Sequence, residues 1–158
     1  MSKIEILERI HKIKSKKIAS SKEEDYLEVI YELVNSKGFA KPRDISRILN
    51  VRAPSVTKML QRLAEKNLIN YERYGGVSLT DEGKRVAKDI IGKHKKIIDF
   101  LMFLGIDEKV ANLEAEGIEH VISEETLNRI HELYKFINDD QELRKRFSVH
   151  LKNYLERR

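Results

Sequence analysis

Residues 40–69 read "AKPRDISRILNVRAPSVTKMLQRLAEKNLI", with prolines at positions 42 and 54. Proline is tolerated in the first turn of a helix, where its missing N–H has no intrahelical partner to lose. Pro42 and Pro54 therefore each open a short helix. Ile45, Ile48 and Leu49 recur at helical spacing in the first, and Val56, Met59, Leu60 and Leu63 do so in the second, giving each helix one apolar face. Asn50 and Val51 are left for a tight turn between them. This is the spacing of a helix-turn-helix.

The flanking segments extend the pattern. Upstream, Ser21 followed by Glu24 matches a capping box and starts a helix running to about Asn35 and ending at Gly38. Its core face is Tyr26, Leu27, Ile30, Tyr31, Leu33 and Val34. Residues 3–18 place Ile4, Ile6, Leu7, Ile10 and Ile13 near helical spacing, as in a basic amphipathic helix. Downstream, "LINYERYGGVSLT" alternates on either side of Gly75-Gly76, a hairpin signal with Arg73 and Tyr74 at its tip.

Three helices and a hairpin make a winged helix-turn-helix over residues 21–80, preceded by a basic extension at 1–20. Thr80 then caps a long helix reaching about Leu104, with Asp81 and Glu82 at its N-terminus and Gly105 at its end. Further helices are expected near 107–121, 124–138 and 139–156, with Ser123 capping the second. The predicted fold is mainly α: an N-terminal winged helix-turn-helix joined through a long linker helix to an all-helical domain, the two making up 21–80 and 81–158. No internal repeat or Pro/Gly-rich linker interrupts it.

The composition narrows the chemistry. With 158 residues and 41% apolar content the chain can build a core. It has no cysteine, so disulfides, thiolate metal sites and cysteine nucleophiles are excluded. No apolar run approaches a bilayer span, and the N-terminus is interrupted by charges where a signal peptide would be apolar; a cytoplasmic location and no membrane partner are expected. The net charge of +5 is uneven: residues 1–80 hold 16 Lys and Arg against 10 Asp and Glu, whereas residues 81–158 hold 15 against 16. A basic N-terminal half suits a polyanion, because phosphate neutralisation supplies most sequence-independent nucleic-acid affinity.

In a helix-turn-helix the second helix enters the major groove N-terminus first. The candidate DNA-binding residues are therefore Arg52, Ala53, Pro54, Ser55, Thr57 and Lys58, joined by Arg73 and Tyr74 on the wing. In the second half, "EAEGIEHVIS" puts Glu116, Glu119 and His120 on one helical face by i, i+3, i+4 spacing. Asp25 and Glu28 form an i, i+3 carboxylate pair on the first helix of the winged domain, and His94 stands in "IIGKHKKII" on the long helix. Carboxylate oxygens and imidazole nitrogens bind divalent first-row metals. Four carboxylates and two imidazoles offer enough ligands for two ions.

These residues together resemble the diphtheria-toxin-repressor (DtxR/MntR) family of metal-dependent transcriptional regulators, in its manganese-responsive, MntR-like branch. The similarity runs through "EEDYLEVIYELVNSKGFAKPRDISRILNV", "PSVTKMLQRL", "YERYGGVSLTDEGK", "GKHKKIIDFLMFLGID" and "EAEGIEHVIS", about residues 23–137. The resemblance implies metal ligands at Asp25, Glu28, His94, Glu116, Glu119 and His120, two Mn²⁺ per subunit, and a homodimer on a near-palindromic DNA operator. A repressor of metal-uptake genes is the implied role. The iron-responsive branch has cysteine at the position of Glu116 and methionine at that of Asp25; carboxylates there favour Mn²⁺, with Fe²⁺ chemically acceptable. That branch's ancillary site lacks its ligands here, the positions being Ile98 and Asn112. Ending at Arg158, the chain is expected to lack the extra C-terminal domain of some relatives.

Two further readings remain open on the residues. A carboxylate-bridged di-metal enzyme also pairs Glu and His at i, i+3, but has no use for a helix-turn-helix. A metal-independent winged-helix regulator would leave the six residues as surface charges. For the expected dimer, Leu101, Phe103, Leu104, Val110, Leu127, Ile130 and Leu133 are the candidate interface.

Overall fold

The computed structural model describes residues 2, 3, 5, 18–72 and 76–157. Among them are seven helices and one hairpin: α1 (Ser21–Lys37), α2 (Pro42–Ile48), α3 (Ala53–Glu65), β1 (Ile69–Glu72), β2 (Gly76–Leu79), α4 (Asp81–Phe103), α5 (Glu108–Ile118), α6 (Glu124–Asp139) and α7 (Gln141–Leu155). The chain divides into two compact units, residues 1–90 and 91–158. The expected helix over residues 3–18 falls largely outside the described residues, as do Arg73 and Tyr74 at the hairpin tip.

The first unit is the winged helix-turn-helix. Pro42 opens α2 and Pro54 lies in the first turn of α3. Between these helices Asn50 takes a left-handed backbone (φ 51°), a conformation that asparagine tolerates better than most residues. The turn is closed by Val51 N–H to the Ser46 carbonyl (3.0 Å) and by the Ser46 hydroxyl to the Val51 carbonyl (2.6 Å). Val56, Leu60 and Leu63 line one face of α3 and are fully buried. Each contributes roughly 1.5–3 kcal/mol relative to exposure. They pack with Leu27 and Ile30 of α1, Ile45 of α2 and Val77 and Leu79 of β2 in one core.

A Schellman motif ends α3: Leu68 N–H reaches the Leu63 carbonyl (3.0 Å) and Asn67 N–H reaches that of Ala64 (2.9 Å), with Asn67 left-handed at φ 57°. The chain then enters the antiparallel hairpin in the register Ile69↔Leu79, Asn70↔Ser78, Tyr71↔Val77, Glu72↔Gly76. Ala40 bridges to Val77 on the far side of β2. Thr80 caps α4 as expected, accepting from Gly83 N–H at 2.9 Å and donating its hydroxyl to the Asn67 carbonyl at 2.7 Å.

One cap is shifted from its expected place. The capping box of α1 is Ser20 with Glu23, not Ser21 with Glu24. Both pairs satisfy the sequence pattern. Burial decides between them, because Glu23 is enclosed in the core while Glu24 remains half-exposed.

In the second unit Ile97 of α4, Ala115 of α5 and Leu127 of α6 form the buried centre. Asp107, Ser123 and Asp140 cap α5, α6 and α7 with side-chain oxygens accepting backbone N–H groups. Phe103 stacks on Phe147 at 4.6 Å between ring centres and meets Tyr134 edge-on at 5.3 Å. Leu127, expected at the subunit interface, is only 1% exposed and belongs to this unit's own core. Val110 and Leu133 are exposed. Among the described residues no helix is long and apolar enough to cross a membrane.

Candidate metal centre and nucleic-acid face

The second unit gathers ionisable ligands at one end of α5. This helix was expected to run to residue 121, but it ends at Ile118, with Glu119 in the cap position and His120 in the following turn. Val121 and Ile122 N–H groups both return to the Ile118 carbonyl, which tightens the chain there. The last turn of α5 contains no basic residue. Carboxylates at a helix C-terminus face the negative end of the dipole, an arrangement that costs about 0.3–1 kcal/mol where it is uncompensated. A cation at this end removes that penalty.

His94, from α4, supplies the facing imidazole. Its Nδ1 lies 2.6 Å from Glu119 Oε2 in a hydrogen bond and 3.9 Å from Glu116 Oε2. One ligand atom from each of His94, Glu116 and Glu119 falls within 4.8 Å of the others. His120 Nε2 stands 4.0 Å from the second oxygen of Glu119. Glu119 is therefore the centre of the group, with an imidazole near each oxygen.

Burial separates the two carboxylates. The Glu119 side chain is 5% exposed and that of Glu116 is 54% exposed. Burial pushes the Glu119 carboxyl above its usual range; the His94 hydrogen bond and charge pull it down and Glu116 adds repulsion, leaving a net rise. A buried carboxylate bonded to one imidazole and flanked by another, beside a second carboxylate, is a donor set suited to a divalent cation. Oxygen and nitrogen donors without sulfur fit Mn²⁺, Fe²⁺, Co²⁺ or Zn²⁺.

Asp25 and Glu28 are both half-buried on α1 of the first unit, one helical turn apart. The same unit presents the DNA-reading candidates. Arg52, Ala53, Pro54, Ser55, Thr57 and Lys58 are all exposed around the start of α3, while Val56 between them points into the core. The Thr57 hydroxyl donates to the Ala53 carbonyl (3.2 Å). The Lys58 ammonium and Arg52 guanidinium supply the positive charge of this face.

Sequence reasoning did not single out Glu23, which is fully buried and ion-paired to Arg62 and Lys66. The available signal was the doubled capping pattern "SSKEE", which left its role as a cap undecided.

Comparison with known proteins agrees with this division. Residues 19–77 match the family described as iron dependent repressor, N-terminal DNA binding domain, and residues 80–148 match its metal binding and dimerisation domain. The HTH-type transcriptional regulator MntR of Bacillus velezensis is 39% identical over 122 residues, covering 77% of this chain and 86% of that protein. The crystal structure of T. acidophilum IdeR is 37% identical with a TM-score of 0.62, covering 70% of this chain and 53% of that one. A manganese-dependent transcriptional repressor in complex with manganese is 29% identical with a TM-score of 0.65, covering 72% of this chain and 53% of that one. With a helix-turn-helix in one unit, a carboxylate–imidazole cluster in the other and family matches across both, the chain belongs to the iron-dependent-repressor (DtxR/MntR) family of metal-dependent, DNA-binding transcriptional regulators, which act as dimers and not as enzymes.

Proposed function

We propose that the protein is a manganese-responsive repressor, acting in the cytoplasm as a homodimer on a near-palindromic operator. Its ligands are Asp25, Glu28, His94, Glu116, Glu119 and His120, a set sized for two ions per subunit. The observation that carries this reading is the buried Glu119 carboxylate, 2.6 Å from His94 and with Glu116 beside it at a helix end whose last turn has no basic residue. Support for Mn²⁺ over softer metals comes from the donor atoms, since carboxylates occupy positions 25 and 116 and the chain has no cysteine.

When bound, the metal supplies positive charge that offsets carboxylate repulsion. Glu116, Glu119 and His94 would hold it from the second unit, and Asp25 and Glu28 would add ligands from α1 of the first. Ligands drawn from both units let metal occupancy favour one arrangement of them, and the shift equals the differential affinity of metal for the competing states. A coupling of about 1–3 kcal/mol changes operator affinity roughly 5- to 150-fold. Arg52, Ser55, Thr57, Lys58, Arg73 and Tyr74 then meet the DNA.

The test is DNA affinity titrated separately with Mn²⁺, Fe²⁺, Co²⁺ and Zn²⁺ at fixed salt, on duplexes from upstream of metal-transport genes, with bound Mn²⁺ counted by electron paramagnetic resonance. Two ions per subunit and at least a several-fold tightening with Mn²⁺ are expected. One ion per subunit refutes the binuclear assignment. Tightening by Fe²⁺ alone transfers the protein to the iron-responsive reading.

A further inference from the structure

Among the described residues only two charged side chains are buried, Glu119 and Glu23. The first belongs to the metal centre, and the second stands in the opposite unit with a different set of partners. Glu23 lies in the first turn of α1, two and five residues ahead of Asp25 and Glu28. Its Oε2 accepts the Ser20 N–H at 2.6 Å and the Lys66 ammonium at 2.9 Å, while its Oε1 faces Arg62 Nε at 2.8 Å. Arg62 is in the last turn of α3 and Lys66 is that helix's C-cap. Lys66 also donates to the Ile18 carbonyl at 3.0 Å, drawing the chain ahead of α1 into the same node.

The geometry points to Glu23 as a positioning residue that transmits metal binding at Asp25 and Glu28 to the DNA-reading helix. This rests on the metal reading above. Only the carboxylate of this node is buried, since Arg62 is 58% and Lys66 33% exposed; a buried carboxylate left unpaired is costly, so Glu23 holds both cations to one arrangement. Here the arrangement fixed is that of the start of α1 against the end of α3. α3 is a continuous helix of 13 residues, and at 1.5 Å rise per residue it is a rod roughly 20 Å long. Any displacement of its C-terminal end is therefore delivered at Arg52–Lys58. At a helical step of about 100° per residue, Asp25 lies on the side of α1 away from Glu23. One face of the first turn is thus pinned to α3 while the other carries a metal ligand.

The test uses the full chain with Glu23→Gln, Lys66→Met and the double variant. For each, thermal midpoint, Mn²⁺ affinity by electron paramagnetic resonance, and affinity for a duplex from upstream of a manganese-uptake gene are measured with and without Mn²⁺. Glutamine keeps the shape and the acceptor for Ser20 N–H while removing the charge. Mn²⁺ affinity within twofold of wild type is expected, with the Mn²⁺-induced gain in DNA affinity reduced at least fivefold. Lys66→Met should move it the same way, and the double variant should be no worse than Glu23→Gln alone. A lowered midpoint with the wild-type Mn²⁺ gain intact overturns the proposal, because the node is then only structural. If Glu23→Gln fails to fold by circular dichroism, Lys66→Met decides the matter, since that side chain is one-third exposed at 33%. A wild-type chain that binds the duplex equally with and without Mn²⁺ overturns both this inference and the metal reading.

Discussion

Glu119 combines three conditions that a stability-optimised residue would avoid: a carboxylate at a helix C-terminus, 5% exposed, with a second carboxylate nearby. Its carboxyl is raised by burial above its value in an unfolded chain. A raised carboxyl favours folding below its unfolded value, and that contribution is lost as pH rises through the folded one. Glu119→Gln should therefore leave metal-free stability at neutral pH equal or improved, while Mn²⁺ no longer raises the melting temperature. Urea and thermal unfolding with and without Mn²⁺ check both halves.

Glu23 behaves in the opposite sense. Burial works to raise its carboxyl, but the Ser20 backbone N–H and the Lys66 ammonium outweigh burial and hold it below the usual range. A depressed carboxyl stabilises the fold above its unfolded value, and the contribution is lost as pH falls through the folded one. Between neutral and strongly acid pH, wild type should lose more stability than Glu23→Gln in urea titrations. Gly83 is constrained by space instead: a Cβ there would lie 1.8 Å from the Leu68 carbonyl oxygen. Gly83→Ala must shift α4 or the Schellman turn, at a cost of about 1–3 kcal/mol in urea unfolding.

At the scale of elements, α3 has two unlike faces. Val56, Leu60 and Leu63 are buried, while Arg52, Ser55, Thr57 and Lys58 are exposed. Lys58→Ala should weaken binding to specific and non-specific duplexes alike and reduce the salt slope by about 1, as for any lost phosphate contact. Fluorescence anisotropy across a salt series measures this. Most elements were legible in the sequence because proline placement, caps and apolar spacing agreed. The end of α5 was not: periodicity carries on through Glu119 to Val121, whereas the backbone tightens at Ile118. Leu127 was misassigned to the interface for a similar reason, since spacing places a leucine on an apolar face without identifying what covers it. The grouping of His94, Glu116 and Glu119 was legible only through residue type and family resemblance, because contacts between α4 and α5 leave no periodic trace.

At the scale of the molecule, the boundary between the two units falls inside α4, between Ile90 and Ile91. A shared helix joins a DNA-reading unit to a unit with a carboxylate–imidazole cluster, and the family's two domain matches meet near its start. On the proposed reading, metal at this cluster governs DNA binding. Because burial raises the Glu119 carboxyl and protons compete with metal for it, the effect should weaken as pH falls. The most direct measurement is operator affinity at fixed salt and neutral pH, with Mn²⁺ and with chelator, for wild type and Glu119→Gln. At least a several-fold Mn²⁺-dependent tightening in wild type, absent from the variant, is the expected result; equal affinity in all four conditions would rule out metal control of DNA binding through Glu119.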